Sequence, residues 1–133
     1  MTNTERASWQ RYLGLPYQWG GDPDRDGGTD CLGITLAVLA LHDAPRPALN
    51  AEWHESAGRG RWLPLLHELD SVSETVPGGR ALDVALLDGG APIALGVCVA
   101  GGLITASRGD GVHWRPLSDC RIRRWFQFLP SPS

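Results

Sequence analysis

The chain has 133 residues, of which 42% are hydrophobic, so it can form one domain around a single core. Its formal net charge of -3 argues against a general attraction to nucleic acid. No apolar run reaches the length of a membrane-spanning helix, and residues 1–6 lack the apolar stretch of a signal peptide. We expect one domain over 1–133, made in a cytoplasm, with neither nucleic acid nor membrane as a partner.

The first half of the chain has helical patterning. Gly14 and Pro16 end the first predicted helix, and Thr29 or Asp30 caps the second. The second helix is apolar almost all round, so it should be central in the fold. Helices are predicted at 4–13, 31–42 and 60–68, with a loop over 17–29 and a linker over 44–50; Pro64 should limit the last helix to one or two turns.

The second half changes to a strand pattern with glycine-rich turns. Strands are predicted at 83–87, 93–99, 103–107, 112–115 and 122–129. Because the helices come first and an antiparallel meander follows, the fold class is expected to be α+β.

Cys31 is predicted to open the second helix directly after a glycine-rich loop. The positive end of the helix dipole favours a thiolate, which is the form that acts as a nucleophile. However, Asp22, Asp24, Asp26 and Asp30 surround the helix start, and nearby carboxylates raise a thiol pKa. Without a histidine cation, Cys31 should be mostly a protonated thiol at neutral pH.

The same aspartates offer a weaker alternative. Asp22, Asp24 and Asp26, followed by Gly27, resemble the start of a calcium-binding loop. The twelfth position of that pattern is Gly33 instead of a bidentate Glu, and it lies inside the predicted helix. A solvated, turn-rich loop is therefore favoured, and no metal or cofactor is expected.

Two sequence motifs resemble the NlpC/p60 family of papain-like cysteine peptidases, which cleave peptide bonds in bacterial cell-wall peptides. Pro16–Gly21 reads PYQWGG and Asp30–Gly33 reads DCLG, matching the family's first motif; Ala94–Cys98 and Gly101–Ser107 match its second motif more loosely. The resemblance spans Leu13 to about Leu117. It implies a papain-like fold in which N-terminal helices, including the cysteine helix, pack on an antiparallel β-sheet.

The departures from the family pattern affect the catalytic residues. Cys31 occupies the nucleophile position and Tyr17 lies in the first motif, but the family histidine falls on Ala94. The family's third polar residue, which orients that histidine, falls on Thr105. Leu32 replaces the usual serine after the cysteine, as in phage-encoded relatives. The resemblance therefore implies a degenerate, phage tail-associated type.

A relocated base would have to be one of four histidines: His42, His54, His67 and His113. His42 is excluded, because eleven residues of helix place it roughly 16 Å from Cys31. The sequence does not fix the positions of His54 and His67. Each of the other three histidines is more plausible as a surface or half-buried residue than as a base.

His113 can be placed by strand register. A two-residue turn at Gly101-Gly102 would make Cys98 face Thr105, with Ala94 and Ser107 on the same sheet face. If Ser107 then pairs with Val112, His113 pairs with Ala106 and points to the other face. A bulge near Gly111 would reverse this, so His113 remains a candidate base.

The resemblance implies two functions of different classes. The first is a structural protein of a phage tail tip or hub, or of tail assembly, with impaired catalysis and other tail proteins as partners. The alternative is an active peptidoglycan endopeptidase in which Cys31 attacks, while its backbone N–H and Tyr17 stabilise the oxyanion. An amidase or acyl-transferring relative is a weaker third possibility. A phage-encoded chain would end up in the virion tail.

Overall fold

A computed structural model of the protein describes residues 9–47, 63–88 and 94–130. Within these ranges, no helix is long and apolar enough to cross a membrane. The first half of the predicted first helix, residues 4–8, falls outside them. Trp9 and Gln10 are helical, but residues 11–14 form turns in which Tyr12 N–H donates to Trp9 O at 3.1 Å. This segment therefore leaves the helical conformation before Leu13, where the prediction had placed the helix end.

Two further helices are described. Helix α1 spans Cys31–Leu41 and is capped by Asp30, one residue shorter than predicted. Helix α2 spans Leu63–Ser71, nine residues, and ends three residues later than predicted. Pro64 does not limit it to one or two turns, because it is the second residue, where a helix tolerates a missing N–H.

The sheet has six described strands, and all its pairings are antiparallel. They are β1 (Ser73–Thr75), β2 (Val84–Leu87), β3 (Ala94–Val99), β4 (Gly102–Ser107), β5 (Gly111–Pro116) and β6 (Ile122–Phe128), in the spatial order β1-β6-β2-β3-β4-β5. Only β2 to β5 form a meander, since β6 returns across the sheet to pair with β2. Neither β1 nor the 3₁₀ turn Leu117–Asp119 was predicted, because both are three residues long and mostly polar.

The two faces of the sheet are covered by different parts of the chain. Helix α1 packs on the face that carries Leu95, Val97, Ile104 and Ala106, and Cys31 belongs to the same buried cluster. Because side chains alternate along a strand, their neighbours lie on the other face. There, a second cluster joins Ala85, Cys98 and Leu103 to the partly buried residues Leu87, Leu117, Cys120, Ile122 and Trp125.

The predicted registers of both hairpins require correction. The β3–β4 turn is Ala100-Gly101, whose φ angles of 52° and 76° suit a type I′ turn, so Thr105 pairs with Gly96. The expected pairing of Thr105 with Cys98 is wrong, although both lie on one face. In the β4–β5 hairpin, Gly111 opposes Ser107, and this places His113 opposite Thr105 instead of Ala106. His113 therefore shares the face of Thr105, contrary to the prediction.

Candidate active site

The glycine-rich loop is held between β5 and the start of α1. Val112 in β5 donates to Leu15 O at 2.9 Å and accepts from Gly14 N at 2.9 Å. Further along the loop, Gln18 N donates to Thr29 O at 2.9 Å, beside a parallel bridge between Tyr17 and Thr29. The first motif thus runs alongside the residues that lead into Cys31.

Two glycines allow this loop to approach the helix. A Cβ at Gly33 would lie 2.3 Å from Thr29 Oγ1 and 2.6 Å from Gly21 O. A Cβ at Gly21 would lie 2.4 Å from Gly28 O. Because two of these neighbours are backbone atoms, which cannot rotate away, the glycines are required by packing alone.

Asp30 joins the helix to the loop. Its side chain is buried, with one carboxylate oxygen accepting from Gly33 N at 2.7 Å and the other from Gly20 N at 2.9 Å. The first of these bonds is an N-cap, and the second fixes the loop over the helix start. The sequence had left the choice between Thr29 and Asp30 open, and the structure shows that Asp30 is the cap.

Cys31 is the first residue of α1 and is only 6% exposed. Burial raises the pKa of its thiol to about 12, and the Asp30 carboxylate adds to this; backbone hydrogen bonds at Leu95, Cys31 and Leu32 lower it less. Desolvation of the thiolate therefore outweighs the helix dipole. The expected protonated thiol follows, but its main cause is burial and not the aspartate loop.

Tyr17 packs against the cluster that contains Cys31 and is half-buried. The Arg108 guanidinium lies over its ring, with Cζ 5.8 Å from the ring centroid. Burial raises the pKa of the Tyr17 hydroxyl, while its hydrogen bond with Arg108 opposes the rise. This contact could not be predicted from the sequence, because Arg108 lies in the turn between β4 and β5.

The motif resemblance assigns the family's histidine to Ala94 and its third polar residue to Thr105, and neither side chain is a base. Ala94 is the half-buried first residue of β3, next to Leu95, whose backbone interacts with the Cys31 thiol. Thr105 is buried, and its hydroxyl donates to Leu95 O. Neither side chain can accept a proton from Cys31 at neutral pH.

The described histidines lie elsewhere. His113 is on the face opposite α1, and its Nδ1 is 2.9 Å from Gly111 O, a carbonyl that accepts its proton. His42 follows the last residue of α1, and His67 is exposed on α2. Among the described residues, none of these three histidines contacts Cys31. His54 lies outside the described ranges.

The carboxylates of the aspartate loop, Asp22, Asp24 and Asp26, are each bonded to another group of the protein. Asp22 accepts from the backbone N–H groups of Asp24 and Arg25 at 2.9 and 3.2 Å. Asp26 pairs with Arg25 at 3.0 Å, which lowers the pKa of the Asp26 carboxyl to about 2. Asp24 accepts from the Tyr12 hydroxyl at 2.9 Å. Across residues 9–47, 63–88 and 94–130, no three His, Cys, Asp or Glu side chains are grouped to hold a metal ion.

Comparisons with known proteins identify the fold. No protein-family model and no curated protein matches the chain. Among solved structures, it is similar to a lipoprotein of the NLP/P60 family from Staphylococcus aureus subsp. aureus Mu50, with a TM-score of 0.59 and 12% sequence identity. The chain has an NlpC/p60 fold. The match covers 98% of this chain but 43% of the lipoprotein, so the chain spans less than half of that protein.

In the NlpC/p60 fold of this chain, the loop of the first motif crosses the start of α1 beside Cys31. This loop brings Cys31, Asp30 and Tyr17 together. The arrangement provides a thiol at a helix N-terminus, but it also keeps that thiol away from solvent and in its protonated form. Its chemistry at neutral pH is that of a buried neutral group.

Proposed function

We propose that this chain is a non-catalytic NlpC/p60 domain that serves as a structural protein of a phage tail tip or hub, or of tail assembly. The burial of Cys31 is the observation that supports the non-catalytic part of the proposal, and the tail role follows from the motif resemblance. A thiol that is 6% exposed, with a pKa raised to about 12, supplies almost no thiolate at neutral pH. A cysteine peptidase needs that thiolate as its nucleophile.

The contacts between the glycine-rich loop and α1 explain why a non-catalytic protein would have the first motif. Gly21 and Gly33 are needed where the loop meets α1, and Asp30 bonds to both segments. Each of these residues would be retained by a protein that needs only the stable fold. The motif residues therefore support a structural role as well as they support an enzyme.

A second function, peptidoglycan endopeptidase, is kept as the alternative because of one feature of the site. Backbone hydrogen bonds at Leu95 and Leu32 favour the thiolate of Cys31, as a nucleophile site requires. In this reading, Cys31 attacks a peptide carbonyl, with Tyr17 nearby, and His54 acts as the relocated base, because His113 lies on the sheet face opposite α1.

The experiment replaces Cys31 in the phage that encodes the chain. Deletion of the gene should abolish intact tails in electron micrographs, whereas Cys31→Ser should leave tail assembly and infectivity unchanged. Purified wild-type protein should release no new amino termini from peptidoglycan. Release by wild type that is lost in Cys31→Ser would establish the endopeptidase, and loss in His54→Ala would identify its base. Normal tails after deletion would refute the structural role.

A further inference from the structure

A second concave site lies on the sheet face opposite α1, under the connection between β5 and β6. Because β6 pairs with β2, residues 117–121 must cross the sheet from one side to the other. Leu117 N–H donates to Gly101 O at 3.4 Å at one end of the crossing, and Asp88 N–H donates to Arg121 O at 2.8 Å at the other. Leu117 and Cys120 pack on the sheet between these two bonds.

A cavity of about 240 Å³ remains between this connection and the sheet. It is lined by Leu87, Asp88, Leu103, Thr105, Arg115, Asp119, Cys120 and Arg121. Leu103 and Thr105 form its buried floor, and the Thr105 hydroxyl proton is already donated to Leu95 O. The cavity is smaller than the ~300–1,000 Å³ of sites that hold drug-sized ligands, so its occupant must be small.

Four exposed charges surround this floor. Arg115 and Asp119 come from the end of β5 and the 3₁₀ turn, while Asp88 and Arg121 lie at the other end of the crossing. Within the described part of the chain, none of these four has an ion-pair partner. By contrast, Arg11, Arg25 and Arg124 each reach an aspartate within 3.2 Å.

The rim of the cavity therefore carries two positive and two negative charges, which sum to zero. A simple anion would gain from the two guanidinium groups but would face the carboxylates Asp88 and Asp119, and a simple cation would face the opposite conflict. A ligand with a carboxylate and an ammonium group can satisfy both. At the other end of the cavity, Arg121 can donate hydrogen bonds and Asp88 can accept them, and an amide side chain can pair with both.

We propose that this cavity binds a free, zwitterionic α-amino acid with a polar side chain. The site is independent of Cys31, which lies on the other side of the sheet. It does not depend on whether the chain has a structural or a catalytic role. Arg115 binds the carboxylate, Asp119 binds the ammonium group, and the side chain reaches Asp88 and Arg121.

Isothermal titration with L-glutamine, N-acetyl-L-glutamine and L-glutaminamide tests the charge requirement. Glutamine should bind with a Kd below about 1 mM, and each blocked form should bind about tenfold more weakly or worse. Arg115→Gln and Asp119→Asn should each cause a similar loss. Arg123→Gln is the matched control, because Arg123 is an exposed arginine that does not line the cavity, and its Kd should equal that of wild type.

A second measurement locates the ligand. Cys120 is a half-buried thiol in the cavity wall, so saturating glutamine should slow its alkylation, as measured by peptide mass spectrometry. Equal binding of the blocked forms, unchanged binding in Arg115→Gln and Asp119→Asn, or unprotected Cys120 would each overturn the proposal. So would the absence of binding by glutamine and every other common amino acid at millimolar concentration.

Discussion

The buried thiol of Cys31 should make the protein less stable at alkaline pH. In the unfolded chain, a cysteine has a pKa of about 8.5. In the folded protein, burial raises the pKa of Cys31 to about 12. The stabilising effect is complete below the unfolded pKa and is lost as pH rises toward the folded pKa, because the unfolded chain alone releases the proton.

The size of this loss follows from the two pKa values. Each pH unit between them lowers the free energy of unfolding by about 1.4 kcal/mol. Between about pH 8 and about pH 10, Cys31 alone should therefore lower the free energy of unfolding by roughly 2 kcal/mol. Burial also raises the pKa of Tyr12, Tyr17, Cys98 and Cys120, so wild type should lose more than this in total.

Urea unfolding at both pH values, under reducing conditions, isolates the contribution of Cys31. Cys31→Ala should lose roughly 2 kcal/mol less than wild type over this pH change. Cys120→Ala is the matched control, because its thiol is only half-buried, and it should keep most of the wild-type loss. If the free energies of unfolding of Cys31→Ala and wild type depend equally on pH, burial does not hold the Cys31 thiol protonated.

Three further predictions concern the same region. At about pH 8, Cys31 should react with iodoacetamide roughly three orders of magnitude more slowly than a free thiol, because a pKa of about 12 leaves little thiolate; a free-thiol rate in peptide mass spectrometry would contradict this. Gly33→Ala should lower the free energy of unfolding in urea by about 1–3 kcal/mol through its backbone clash. The control is Gly109→Ala, which places a Cβ in open space and should change the free energy of unfolding by less than about 0.5 kcal/mol. Equal effects of the two substitutions would count against the clash. Asp30→Ala should cost about 1–2 kcal/mol or more in thermal unfolding, since it removes the helix cap and a buried acceptor, whereas the exposed Asp110→Ala should match wild type.

Local patterning predicted most of the regular structure. The apolar run after Asp30 gave α1 to within one residue, and the glycine-rich turns located five strands to within one or two residues. These features depend on neighbouring residues, which a sequence shows directly. The short strand β1 escaped prediction because Ser73–Thr75 has no apolar alternation and is a strand only through its pairing with β6.

The registers were less predictable than the strands. The turn at Ala100-Gly101 places a non-glycine residue at φ 52°, whereas the two adjacent glycines predict a turn one residue later, at Gly101-Gly102. In the next hairpin, Gly111 extends β5 backward and reverses the face of His113. A shift of one residue moves a side chain to the other face, so the candidate base could not be placed without the pairing itself.

By itself, the sequence determined the order of the longer helices and strands and the position of Cys31 at the start of a helix. These are properties of composition and spacing along the chain. Tertiary structure alone decided that Cys31 is buried, that β6 crosses to β2, and that a charged cavity forms beneath that crossing. The reason is physical: a thiol's pKa and a cavity's shape depend on groups distant in sequence, which only the packed fold brings together.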